Sequence, residues 1–477
     1  MPSAVAAPAR PSKPETAFMV CQCVNRVAMA AAFSVIAPFF PQEAASRGVS
    51  QTWVGVTFGA YQIFGFIAAS GAHKAIRSLG LRTTFLLGSV AFGTSTVLFG
   101  ALTLFNGKWA FIGVAIFLRG VEALGYSLSI VSASSIIAIQ FPRRRSDLYA
   151  LLQATYILGM SSGAFVGGLL CAVGGFVLPF LVLGVVACGT GVVSWILLRL
   201  CPDAASKNVD AGVGVSDAKP LTILRRIPSL LAVSVAPIGL CAFTLTAIET
   251  ALEPFLRPLK LSPVGVGSLF MIAPGFFCLS SCAVGRFART RRGALTLVCV
   301  AVGGNAASML ALASGHFFIR AQAYVSALCI IIVGLVLHGL AFMAFVPANN
   351  LALLLASAHG FENGAAANAV SVQRFSSTSF GGACGSFVGG LVVNELGFLA
   401  AFGAVLLLAA LVGLGILGAT KGAKAKTTWT TVVPNTSADA DFDASTPLVR
   451  PAAATHREAA GEATRELKTT AKKCDTF

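Results

Sequence analysis

Charge is what this sequence has least of. Only 11% of its 477 residues are Asp, Glu, Lys or Arg, about half the share found in soluble domains. Acids are the scarcer sign, 18 against 34 bases. With 56% of residues hydrophobic and a mean hydropathy of +0.82, no water-soluble fold could hide the apolar surface. Histidine is scarce too, at five. No paired histidines, nucleophile triad or metal-ligand spacing is present, which argues against a membrane-embedded enzyme and for a chain without cofactor or metal. Cysteines number 12, yet Cys171, Cys188, Cys241, Cys278, Cys299, Cys329 and Cys384 lie inside apolar runs, where thiols behave as small hydrophobes. Cys21-x-Cys23 and Cys278-x3-Cys282 have no partners at metal-site spacing. The N-terminal stretch, dominated by Pro, Ser and Ala, lacks the apolar core of a cleaved signal peptide and reads as a short disordered tail.

Long apolar runs are what the chain does have. A bilayer core asks for about 20 apolar residues per helix. Such runs fall at 17–40, 52–72, 83–105, 109–139, 148–173 and 176–199, then at 229–252, 264–285, 294–314, 322–346, 367–393 and 396–419. The expectation is an all-α membrane protein of 12 transmembrane helices in two six-helix bundles, 17–199 and 229–419. Around them lie a tail at 1–16, a linker at 200–228 broken by glycine and proline, and a tail at 420–477 without apolar periodicity.

The formal charge of +16 would suit a nucleic-acid partner, but its placement excludes that reading. Bases gather in short alternate connections, where they set topology: Lys74, Arg77 and Arg82; Arg143, Arg144 and Arg145; Lys207, Lys219, Arg225 and Arg226; Arg286, Arg289, Arg291 and Arg292. Both termini are therefore expected to be cytoplasmic, with the lipid bilayer as the chain's surroundings. The sequon at Asn435 then falls in the cytoplasmic tail, where no glycan is expected.

The chain repeats itself. Gly163-Ala-Phe-Val-Gly-Gly-Leu169 returns as Gly385-Ser-Phe-Val-Gly-Gly-Leu391, a shift of 222 residues. Gly159 and Gly381 precede the copies at the same offset, and Gly175-Phe176 and Gly397-Phe398 follow them. Gly163, Gly167 and Gly168 thus echo Gly385, Gly389 and Gly390. A second echo links Pro38-Phe39-Phe40 to Pro254-Phe255-Leu256, ahead of Trp53-Val-Gly-Val and Pro263-Val-Gly-Val. Small residues at helical spacing let membrane helices approach closely.

This ladder resembles the antiporter motif of major facilitator proteins, with Ala164 and Ser386 in place of its proline. The family's loop motif survives only as Gly80 with Arg82, and Arg77 stands where an aspartate is usual. Three stretches, Ser34–Ala45, Phe117-Leu-Arg-Gly-Val-Glu122 with Ser132–Ala138, and Ser357–Gly364, narrow the resemblance to the vesicular amine transporters, nearest the vesicular polyamine transporter branch. That resemblance implies two halves rocking about a midplane site, a small organic amine as substrate, proton-coupled antiport and a monomer. The aspartate that pairs with monoamines in the first helix is replaced by Met29.

Ionisable groups at membrane depth are costly, so each is a functional candidate. They are Arg26, Arg119, Glu122, Glu249, Glu253, His338 and Arg374. Arg119 and Glu122 share a face of the fourth helix, either as an amine or proton site, which the resemblance implies, or as a self-neutralising pair. Glu249 matches an acid of the amine transporters and could alternate between proton and ammonium; Glu253 lies one turn further on. Free guanidinium groups at Arg26 and Arg374 would instead favour an anion or zwitterion. A facilitator without proton coupling is a further alternative, suggested by the missing prolines and loop acids. His338 is either a proton relay or a packed histidine. Tyr61, Gln62, Tyr126, Gln153, Tyr156, Asn305, Asn349 and Gln373 are candidate cavity polars or interhelical hydrogen bonds. Asp441–Val449 faintly resembles an acidic sorting signal, which would suit a vesicular or endolysosomal membrane better than the plasma membrane.

Overall fold

The computed structural model describes residues 13–141, 145–200, 227–288, 291–359 and 363–425. Among these no strand is formed. The first half contains α1 (Lys13–Ser46), α2 (Gln51–Leu79), α3 (Leu81–Gly100), α4 (Lys108–Gln140), α5 (Arg145–Gly174) and α6 (Val177–Leu200). The second half opens with a π-turn, Leu231–Val235, and continues as α7 (Ala236–Leu256), α8 (Pro263–Phe287) and α9 (Arg291–Arg320). It ends with α10 (Tyr324–Ala341), α11 (Phe345–Ala358), α12 (Asn363–Glu395) and α13 (Phe398–Ala425).

Eleven stretches of described helix are long and apolar enough to cross a bilayer. Two differences from the sequence expectation have physical causes. The tenth span runs on from 324 to 356, because a 3-10 turn at Phe342–Ala344 bends the helix without ending it and α11 continues beyond. The eleventh expected span, α12, is not among the eleven, for its 33 residues carry Arg374 and many Ser, Asn and Gly. It is nonetheless a packed bundle helix, seated between α2 and α7 (through Gly390 on Gly55, and Gly385 on Phe243). α1 begins at Lys13, inside the expected tail. The linker, the distal C-terminal tail with Asn435 and its sorting-like stretch, and Arg143, Arg144 and Arg289 lie outside the described residues.

The repeat is built into the packing. Gly159, Gly163 and Gly167 of α5 lie against Val27, Ala31 and Val35 of α1, and the equivalents Gly381, Gly385 and Gly389 of α12 lie against Gly239, Phe243 and Ala247 of α7. Between halves, Gly267 of α8 meets the Ala164 carbonyl, and Gly55 of α2 meets the Ser386 carbonyl. The residues that stand in for the motif's prolines are thus the inter-half contact points. Gly168 on Pro263 and Gly390 on Gln51 complete the two seams.

Two shifts relate the halves. The first four helices map onto their partners by 212 residues: Gly55 onto Gly267, and the bond Thr96 to Glu122 onto Ser308 to Gly334. One pair of positive-φ loop residues obeys the same shift, Gly48 onto Lys260. From α5 onward the shift is 222, which includes the positive-φ turns Gly175 and Gly397. The second half therefore holds ten more residues between these blocks, where its tenth helix breaks and extends. The Val-Gly-Val echo in the sequence is out of register with the structural equivalence by two positions.

All the inter-half seams just named lie towards the α1–α2 and α7–α8 turns, at the end opposite the start of α1 and the end of α13. At that end Arg257, in the 3-10 turn that follows α7, bonds the Glu253 carboxylate at 2.9 and 2.7 Å and the Pro41 carbonyl of α1 at 3.0 Å. The Gln51 side chain of α2 donates to the Thr250 carbonyl of α7.

A side chain at Gly385 would run into the Phe243 carbonyl and the Thr246 hydroxyl, whereas Gly403 of α13 faces open space. Gly385→Leu is expected to cost about 1–3 kcal/mol or more through overpacking, and Gly403→Leu within about 0.5 kcal/mol. Melting of the purified variants in detergent measures the difference; equal losses at both sites would contradict the packing described.

Candidate functional site

The chemistry of the first half gathers where α1, α2, α4 and α5 face one another. Glu122 falls at the middle of the span Lys108–Ile137 and is 1% exposed, as is Arg119 one turn before it. The i, i+3 spacing brings the two into a direct ion pair, as the sequence allowed. Thr96 of α3 donates a second hydrogen bond to Glu122 at 3.0 Å. The Arg119 guanidinium stands over the Tyr61 ring at 4.2 Å and the Phe33 ring at 5.4 Å. Cation–π contact replaces some of the hydration that Arg119 has lost.

Arg26 is held differently. Its guanidinium lies 5.2 Å from the Tyr126 centroid and 4.7 Å from that of Tyr156. Tyr61, Tyr126 and Phe92 follow at centroid distances of 6.3 Å. The wall is therefore an alternation of cations and rings running from Phe33 through Arg119, Tyr61, Tyr126 and Arg26 to Tyr156. Two of the Arg26 nitrogens, Nε and Nη1, are buried without a hydrogen-bond partner.

The second half faces this wall with less charge. Glu249 of α7 is half-buried and enters none of the three ion pairs among the described residues. Tyr156 lies within Coulombic reach of both Glu249 and Arg26, and Arg374 within reach of Tyr156. Arg374 presents an exposed side chain on α12. Glu253 stands apart from this group, committed to Arg257 at the far end. His338 is buried and shares Asn305 with Thr244: His338 Nδ1 lies 3.2 Å from Asn305 Oδ1, and the Thr244 hydroxyl donates to the same oxygen at 3.2 Å. The 212-residue shift puts His338 in the place of Tyr126, and Gly334 in the place of Glu122.

Of the remaining sequence candidates, Gln153 lines a cavity of about 150 Å³ beside Arg26. Gln373 donates to Ser234 at 3.2 Å, and Gln62 packs against Gly382. Gly80, with φ of 79°, forms the tight turn before Arg82 in the first turn of α3. Sequence reasoning passed over Gln22, Phe33, Thr96 and Thr244. Gln22 alone had a readable signal, one turn before Arg26 on the same helix face.

Residues 23–376 match the family model described as Major Facilitator Superfamily. The MFS-type transporter SLC18B1 of Rattus norvegicus is 27% identical over 379 residues, covering 77% of this chain and 78% of that protein. Its Homo sapiens counterpart is 26% identical over 378 residues, with the same coverage. Among solved structures, a bacterial homologue of the human lysosomal transporter Spinster, inward-facing and occupied, has a TM-score of 0.63 at 15% identity and covers 86% of this chain and 98% of its own. The nucleoside transporter NupG has a TM-score of 0.65 at 10% identity, with 85% and 99% covered. At those identities the structures share the fold alone.

Breaking a buried ion pair strands the surviving charge, at a cost of about 3–5 kcal/mol, whereas removing both charges is far cheaper. Arg119→Leu and Glu122→Leu are each expected to destabilise the protein by that amount, and the double variant to regain most of the loss. A double variant that melts no higher than the worse single would contradict a mutually neutralising pair.

Proposed function

The chain belongs to the Major Facilitator Superfamily, and on that premise we propose that it exchanges a small organic amine for protons, with Glu249 as the group that alternates between them. That it is a multi-pass membrane transporter of a small molecule, and no enzyme, follows from the family and from its relatives. The amine and the proton are our reading.

One observation carries it. Every other intramembrane acid singled out has a committed cation, Glu122 with Arg119 and Glu253 with Arg257, while Glu249 has none among the described residues. A carboxylate without a resident cation binds either a proton or a substrate ammonium, and the two compete for one site. That competition is the minimum a carrier needs to couple two fluxes. The Arg119–Glu122 pair then positions the tyrosines of the opposite wall. Tyr61, Tyr126 and Tyr156 offer ring faces to an ammonium, the surface such groups prefer. His338, with its Asn305 partner, has the character of a packed polar group of the second half.

Alternating access follows from where the halves touch. The glycine seams and the Arg257 clasp hold the end with the α1–α2 and α7–α8 turns, and the cavity beside Arg26 lies at the opposite end, towards the start of α1. With the basic connections cytoplasmic, this is a cytoplasm-facing state. Loading from the cytoplasm against an acid interior fits a vesicular or endolysosomal membrane, with the protein acting as a monomer.

The test is uptake of labelled spermidine into proteoliposomes with an acid interior. Uptake should exceed that measured with a protonophore by about tenfold, and Glu249→Gln should abolish the difference while the protein remains folded. Uptake indifferent to the protonophore would favour a facilitator without proton coupling.

A further inference from the structure

We infer that the solute carries a carboxylate as well as an amine, and that Arg26 and Gln22 bind the carboxylate in the cavity between α1, α4 and α5. The inference rests on the proposed ammonium site at Glu249 and adds a second point of recognition to it.

The cavity is about 150 Å³, the size that accepts a ring of six carbons in an engineered core. Its polar lining consists of Gln22, Asn25, Arg26, Tyr149, Gln153 and serines, with no acid. Asn25 is spent on the Ala187 carbonyl and Thr190, both at 3.0 Å, and Tyr149 on the Ser134 carbonyl at 2.8 Å. Three buried N–H-bearing atoms are left without an acceptor: Gln22 Nε2, Arg26 Nε and Arg26 Nη1. Gln22 is only 3% exposed, so water does not freely satisfy it, and a buried unmade hydrogen bond is costly. Two of the three donors belong to one planar guanidinium, whose fork matches the two oxygens of a carboxylate. A single full positive charge lines the cavity. It balances one carboxylate, and would leave a phosphate half-neutralised.

The charge around Tyr156 points the same way. Arg26, Arg374 and Glu249 all lie near enough to Tyr156 to act on it, and Arg119 acts on Glu249. This surplus of positive charge favours a molecule that brings a negative group for Arg26 as well as a positive one for Glu249.

Putrescine and ornithine form the decisive pair, for ornithine is putrescine with one added carboxylate. Binding of each to the purified full chain can be followed by thermal shift against concentration, with valerate as the carboxylate alone. Ornithine is expected to bind about tenfold or more tighter than putrescine, the gain from one charge-assisted pair. Valerate should bind weakly. In Arg26→Gln the ornithine-to-putrescine ratio should collapse towards one, and Gln22→Leu, which leaves the charge in place, should reduce it in part. Equal affinities in the unmodified protein, a ratio that survives Arg26→Gln, or valerate binding as tightly as ornithine would each overturn the inference. Amine binding that depends on Glu249 but ignores the carboxylate would defeat only this inference. Amine binding indifferent to Glu249→Gln would defeat the proposed function beneath it.

Discussion

Arg119 and Glu122 leave water together on one turn of α4, and much of the first half is arranged around that event. A lone charge at this depth would cost several kcal/mol. Paired, the two neutralise one another and still present hydrogen-bonding and cationic surfaces. Thr96 takes up the second carboxylate oxygen, and Phe33 and Tyr61 take up the guanidinium face. Because Tyr61 is fixed in this way, Tyr126 follows at ring-contact distance, and Arg26 and Tyr156 after it. The cation–ring wall is thus continuous from the pair to Tyr156.

The halves share a backbone plan but divide the chemistry unequally. Where the first half has the Glu122 carboxylate accepting from Thr96, the second has the bare Gly334 carbonyl accepting from Ser308. Where Arg119 stands, the shift places Ile331. The second half contributes Glu249, an acid outside the ion pairs of the described residues, from a helix whose partner α1 has Ala37 at the equivalent place. Symmetry therefore supplies the rocking frame, with its matched glycine seams, while departure from symmetry supplies the site.

Much of the frame was legible in the sequence. Apolar runs gave the spans, because a bilayer permits few other structures. The glycine repeat marked α5 and α12 as closely packed helices, but it pointed to the interface between halves, whereas most of its glycines meet α1 and α7 of their own half. The i, i+3 spacing of Arg119 and Glu122 gave their pair. Other features had no one-dimensional signal. The break at Phe342–Ala344 contains no proline or glycine, and the ten-residue insertion around it hides the 212-residue shift behind the more visible 222. Partners distant in sequence, such as Arg257 with Pro41 or Thr96 with Glu122, depend on how helices cross. The unanswered donors of Gln22 and Arg26 are legible only in three dimensions, since an unmade bond leaves no mark in a sequence.

The central claim is that one carboxylate is shared in turn by a proton and an ammonium. Its most direct test is proton release by the purified, weakly buffered protein when an amine is added, read with a pH dye. The account predicts about one proton released per amine bound, and none from Glu249→Gln. Amine binding that releases no proton from the unmodified protein, or an undiminished release from Glu249→Gln, would contradict it.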